Sequence, residues 1–146
     1  MTSEPVSPDR STLHARLLAL GLESGTRDGE LIVTVENLTF WFRTGTDSSL
    51  TVTTAHPRVL GGENEITAGE ILASALNTVS GNGRVVLLPD VGLLTVSFDL
   101  DGTAQATAGA LDEFILSSLS RGVVTEARIR EELDPLILRV AELTGS

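Results

Sequence analysis

The segment "ELIVTVENLTFWF", residues 30–42, decides the architecture. Leu31, Val33 and Val35 alternate with Ile32, Thr34 and Glu36, the period of two expected of a strand with one face in a core. A two-residue turn at Glu36-Asn37 pairs Val35 with Leu38, Val33 with Phe40 and Leu31 with Phe42. All six then point the same way. A hairpin register requires this, because a slip of one residue would invert every side chain. The same register sets Ile32 opposite Trp41 on the other face. Three of the five aromatic residues of the chain stand side by side at 40–42. Two of them serve the inner face, and the single tryptophan is left on the outer one.

Working outward, "LTVTTAH" at 50–56 continues the pattern, with Leu50 and Val52 inside and Thr51 and Thr53 outside. Upstream, residues 1–7 ("MTSEPVS") are polar and are expected to be mobile. Ser7 before Pro8 predicts a helix start. Leu13, Leu17 and Leu20 then share a face, and Gly21 or Gly25 ends the run. Downstream, "ITAGEILASALNTV" at 66–79 predicts a second helix. Thr67 and Glu70 have capping-box spacing, and Ile71, Leu72, Ala75, Leu76 and Val79 form the expected buried stripe.

"RVVLLPDVGLLTVSFDL" at 84–100 predicts a second hairpin. Its turn at Pro89–Gly92 brings Leu87 opposite Leu94 and Val85 opposite Val96, with Phe98 and Leu100 on the same face. Val86, Leu88, Leu93, Thr95 and Ser97 occupy the other. A third helix carries Leu111, Phe114, Ile115 and Leu119 and is expected to end near Gly122. Thr125 caps a last helix with Ile129, Leu133, Leu136, Ile137, Val140 and Leu143 in one phase. Asp134-Pro135 interrupts it, which predicts a kink or two short helices.

The expected fold is α+β in the order α-βββ-α-ββ-α-α. Three strands and a two-strand hairpin form an antiparallel sheet with one face under the helices. The expected organisation is a flexible N-terminus at 1–7 and a single α+β domain at 8–146.

The chain has 146 residues, no cysteine and a formal charge of −10. The absence of cysteine removes thiol catalysis, thiolate metal sites and disulfides together. All ten basic residues are arginines scattered from Arg10 to Arg139, so no basic stripe tracks a phosphate backbone. The acidic surface suits solubility, or basic and amphipathic protein partners. The first thirty residues do not read as a secretory signal, and no run approaches the ~18 apolar residues of a spanning helix. A soluble cytoplasmic protein that binds neither nucleic acid nor membrane is expected.

The sequence carries little that points to catalytic chemistry. His14 lies on the polar side of the first helix, and His56 precedes Pro57 at a strand end. Neither stands near a nucleophile motif. The glycines of "GGENEITAGE" and "SGNGR" lack the Gly-Lys-Ser/Thr end of a phosphate loop. The acidic run "FDLDG" puts Asp99 and Asp101 on one strand face, where hard cations want clustered oxygens. Without the ligand order of a calcium loop, it reads as a charged strand end followed by a turn. No cofactor, metal or catalytic residue is expected.

With these elements in place the chain resembles the YbjN family, whose fold is that of type III secretion chaperones. The resemblance runs over about residues 12–122. It rests on "LLALGL", "DGELIVTVENLTFWF", "LTVTTA", "ITAGEILASALNTV", "GRVVLLPDVGLLTVSFDL" and "ALDEFILSSLSRG". It implies a non-catalytic protein-binding module, a chaperone-like adaptor or regulator. A small-molecule-responsive regulatory domain, with a pocket between sheet and helices, is the alternative. The segment after Thr125 departs from the minimal family pattern. Ile32 and Trp41 on the outer face of the first hairpin, with Val86, Leu88 and Leu93 on that of the second, are the expected protein interface, most simply that of a homodimer.

Overall fold

The computed structural model describes residues 5–6, 10–45, 49–79, 81, 83–100 and 106–145. In chain order the elements are β1 (Pro5–Val6), α1 (Arg10–Ala19), β2 (Ser24–Arg27), β3 (Glu30–Val35), β4 (Leu38–Thr44) and β5 (Leu50–Ala55). There follow α2 (Glu63–Asn77), β6 (Arg84–Leu88), β7 (Leu93–Leu100), β8 (Ala106–Thr107) and α3 (Ala108–Thr144). The fold is α+β, with a six-stranded open antiparallel sheet in the order β2-β3-β4-β5-β7-β6. β1 and β8 pair separately, Pro5 opposite Thr107 and Val6 opposite Ala106. The chain divides into two compact units, Met1–Thr53 with Phe98–Ser120, and Thr54–Ser97 with Arg121–Ser146.

In the first unit the hairpin β3–β4 has the register read from its alternation. Leu31 pairs with Phe42, Ile32 with Trp41, Val33 with Phe40 and Val35 with Leu38. Glu36 and Asn37 both have positive φ, 51° and 67°, as a type I′ turn requires to match strand twist. The inward set is buried: Leu31, Val33, Leu38, Phe40 and Phe42, with Leu50 and Val52 of β5, Leu13 and Leu17 of α1, and Leu111, Ile115 and Leu119 of α3. Each such side chain contributes about 1.5–3 kcal/mol by leaving water, so this stripe carries most of the unit's stability. Gly21, at φ 75°, closes α1, and Leu22 N–H donates to Leu17 O at 2.9 Å, the backward bond of a glycine C-cap. Arg16 on α1 donates to both oxygens of Asp112 on α3, at 2.8 and 2.5 Å. Those hydrogen bonds, and secondarily the carboxylate's charge, raise the Arg16 guanidinium above its usual value against the opposing effect of desolvation.

The second unit contains α2, β6, most of β7 and the C-terminal part of α3. Its hairpin also has the expected register, Val85 opposite Val96 and Leu87 opposite Leu94. Leu60, Ala68, Leu72, Ala73, Leu76, Val85, Leu87, Leu94, Val96, Ile129, Leu133 and Val140 are buried. Gly69 is a close-approach residue: a Cβ there would stand 2.7 Å from Leu60 Cδ1 and 3.4 Å from Leu87 Cδ2.

Four expectations are corrected. A strand, β2, precedes the three expected; it pairs Ser24–Arg27 with β3 across an Asp28-Gly29 turn whose residues both have positive φ. Its sequence, Ser-Gly-Thr-Arg, has no apolar alternation to announce it. Among the described residues there are three helices and not four, because α3 runs unbroken from Ala108 to Thr144 through Gly122, Thr125 and Pro135. A helical glycine costs about 1 kcal/mol, which the buried residues on both sides of Gly122 outweigh.

α2 starts at Glu63, so Thr67 lies inside it and caps nothing; its N-cap is Gly62, without a side-chain cap bond. Glu63 and Glu65 in the first turn complement the helix dipole, and Glu65 Oε1 accepts the Gly61 N–H at 3.0 Å. Finally, the buried face of α2 is Ala68, Gly69, Leu72, Ala73 and Leu76, while Ile71 and Val79 are 47% exposed. The small residues 68, 69 and 73 permit close approach on that side, which rotates the helix away from the phase its larger residues suggested.

Candidate functional site

In the first unit the outer sheet face is built around Ile32 and Trp41, direct cross-strand partners and both half-buried. Such a pair contributes about 0.2–1 kcal/mol to the sheet itself. Gly25 of β2 lies opposite Ile32, and a Cβ at Gly25 would meet Ile32 Cγ1 at 3.6 Å; the isoleucine therefore lies against bare backbone. Thr34 faces Thr39 one rung away. On the other side, Arg43 Nε donates to Glu30 Oε1 at 2.7 Å, and Thr51 Oγ1 donates to Asp99 Oδ1 at 2.8 Å. The result is an apolar centre with an ion pair and hydroxyls around it, opposite a fully packed inner face.

In the second unit Val86 pairs with Thr95 and Leu88 with Leu93. Val86 and Leu88 are 38% and 42% exposed, and Leu93 is half-buried. Val59 and Val91, in connecting segments of the same unit, are also exposed. Their chain segments are tied together where Leu60 N–H donates to Gly92 O at 2.7 Å. Sequence reading missed Val59 and Val91 because both are in connecting segments, where apolar residues carry no periodic signal.

A buried polar arrangement in the second unit was also not anticipated. His56 Nδ1 lies 3.2 Å from Glu126 Oε2, and Glu126 has no solvent exposure at all. Its other oxygen accepts a hydrogen bond from Arg130, one helical turn on. The His56 N–H donates to Leu94 O at 2.8 Å. Two residues further, Arg58 donates to Asp134 and, at 3.2 Å, to Glu65. A buried carboxylate needs such partners, since an unpaired one costs several kcal/mol. With both oxygens occupied, Glu126 fastens the 56–60 segment to α3. The signal for it was present in the sequence: Glu126 is in phase with Ile129 and Leu133 on an otherwise apolar helix face.

Two cavities lined by described residues bear on ligand binding. One, of about 70 Å³, is lined by Arg10, Leu13, Gly29, Glu30, Leu31, Phe42, Arg43 and Thr44. It is far below the ~300–1,000 Å³ of small-molecule sites. The other, of about 390 Å³, is a cleft lined by Gly61–Glu65, Ile137 and Ala141. Its charged groups, Glu63 and Glu65, are both acidic. Among the described residues no three His, Asp or Glu side chains are placed to hold a metal ion. No described helix is long and apolar enough to cross a membrane. Asp101, the second member of the acidic run, lies outside the described residues. No family model, no curated protein and no solved structure matches this chain.

Proposed function

We propose that the chain is a non-catalytic protein-binding module of the cytoplasm, acting as a homodimer, in the manner of the chaperone-like adaptors and regulators that the YbjN resemblance implies. The observation that supports this most is the Ile32–Trp41 pair, half-exposed on the sheet face opposite the packed core. A tryptophan offers the largest apolar surface of any side chain and is enriched among residues that dominate interface energies. The hydroxyls and the Arg43–Glu30 pair around it form the polar rim typical of a contact surface. The regulatory-domain alternative draws no comparable support from the two cavities among the described residues, the smaller being too small for a metabolite and the larger having only carboxylates to charge its lining.

The test uses Trp41, the chain's one tryptophan, as both anchor and reporter. Light scattering should give the wild type twice the chain mass, and dilution should red-shift its fluorescence as Trp41 enters water. Trp41→Glu should remain folded by circular dichroism and run at half the native mass. A monomeric wild type would overturn the homodimer, and an unfolded variant would show instead that Trp41 serves its own chain.

A further inference from the structure

Among the described residues, β2 and β6 are the two ends of the sheet order, and they are protected differently. β2 is four residues long, polar and contains Gly25, which makes it a poor template for a further strand. β6 is Arg84-Val-Val-Leu-Leu88, with Val86 and Leu88 exposed on its outer face. The side chain of Asn77, the last residue of α2, covers its edge. Val85 N–H donates to Asn77 Oδ1 at 2.8 Å, and Asn77 Nδ2 donates to Val85 O at 2.7 Å. One side-chain amide thus reproduces the paired bonds that a residue of a neighbouring antiparallel strand would make.

These bonds also establish which backbone groups face outward. Val85 points its N–H and C=O away from β7, so by the alternation of an antiparallel ladder Leu87 does the same, while Arg84, Val86 and Leu88 turn theirs toward β7. We propose that the β6 edge is a strand-pairing site for a second copy of this chain and that Asn77 is its plug. Two β6 strands related by a two-fold axis through Val86 satisfy the outward groups mutually: Val85 of each copy pairs with Leu87 of the other. Val86 faces Val86, and Arg84 faces Leu88, so no like charges are opposed. Arg84 of each copy is directed toward the turn that carries Asp90 of the other, with opposite charge. Displacing Asn77 exchanges amide bonds for backbone bonds of the same kind, so the plug sets access more than it sets energy. This inference is independent of the Trp41 surface.

The absence of cysteine from the chain makes a clean test possible. Val86 would face its copy as a non-hydrogen-bonded pair, with Cα atoms about 4.5 Å apart, within the range a disulfide spans. Val86→Cys should cross-link slowly under mild oxidation when Asn77 is intact, and at least tenfold more when combined with Asn77→Ala. Leu88→Cys in the same background should not gain, because its copy is four residues out of register. Equal cross-linking of the Val86→Cys and Leu88→Cys variants, or no gain on opening the plug, overturns the proposal. So does a rise in mass without the disulfide at position 86, which would mean another register or another partner surface. If Asn77→Ala loses its circular dichroism, Asn77→Asp carries the test. It keeps an acceptor for Val85 N–H and lacks the donor for Val85 O, and the same gain in Val86→Cys cross-linking is required of it. Adding Trp41→Glu should leave the Val86→Cys cross-link unaffected, which separates this edge from the outer face.

Discussion

Among the glycines for which an added Cβ is described, Gly92 is where a single methyl group meets the closest backbone contact. It sits at φ 71°, and a Cβ there would fall 2.2 Å from Leu60 O, 3.1 Å from Leu60 N and 3.2 Å from Leu60 C. All three contacts are backbone, so no rotamer change relieves them. The left-handed conformation alone costs an L-residue about 1–2 kcal/mol. The collision then forces Leu60 away, straining its 2.7 Å bond to Gly92 O, for which about 1 kcal/mol is typical. It also exposes part of a leucine that is now buried, whose full burial is worth about 1.5–3 kcal/mol.

Gly92→Ala should therefore destabilise by about 3 kcal/mol, a large part of the ~5–15 kcal/mol that holds a domain folded. At this chain length the melting temperature should fall by about 10 °C. Gly29→Ala is the control: φ there is 80°, and nothing lies within 4 Å of its added Cβ, so it reports the conformational cost by itself. Urea unfolding of both variants isolates the collision by difference. If the two variants agree within about 0.5 kcal/mol, the close approach of Leu60 to Gly92 is not a constraint on this protein; that is the scatter expected of independent sites.

The second unit offers two more tests. Glu126→Ala removes one partner of the buried His56 contact and should cost about 3 kcal/mol, as breaking buried polar pairs does; a urea midpoint within experimental error of wild type would show that the tie is inert. Pro135 is exposed inside α3 and denies Glu131 O its helical donor. Pro135→Ala should accordingly raise stability by about 1–3 kcal/mol, seen as a higher melting temperature, and a lower one would mean that the helix depends on the bend proline imposes.

The registers of both long hairpins were legible in the sequence, and the reason is arithmetic. With side chains alternating at a period of two, only one pairing of Leu31, Val33 and Val35 with Leu38, Phe40 and Phe42 turns all six to one face. β2 was also partly legible, since Asp28-Gly29 is a strong hairpin dipeptide, but its polar strand gave no pattern to attach to it. The helical face of α2 was misread because hydrophobicity ranks Ile71 and Val79 above Ala68, Gly69 and Ala73, whereas burial there follows how closely Gly69 lets Leu60 and Leu87 approach.

By itself the amino-acid sequence determined the class of fold, the inner and outer faces of the strands, and the placement of Trp41 beside Ile32. These depend on local periodicity and on turns of two to four residues, interactions short enough to be read along the chain. The continuity of α3 through Gly122 and Pro135, the burial of Glu126 against His56 and the closure of β6 by Asn77 were decided by tertiary structure. The first two each balance a local penalty of order 1–3 kcal/mol against contacts made in the folded chain, and the third rests on a side-chain amide eight residues from the edge it covers. His56 and Glu126 are 70 residues apart, and no local pattern can weigh a partner that only folding brings within reach.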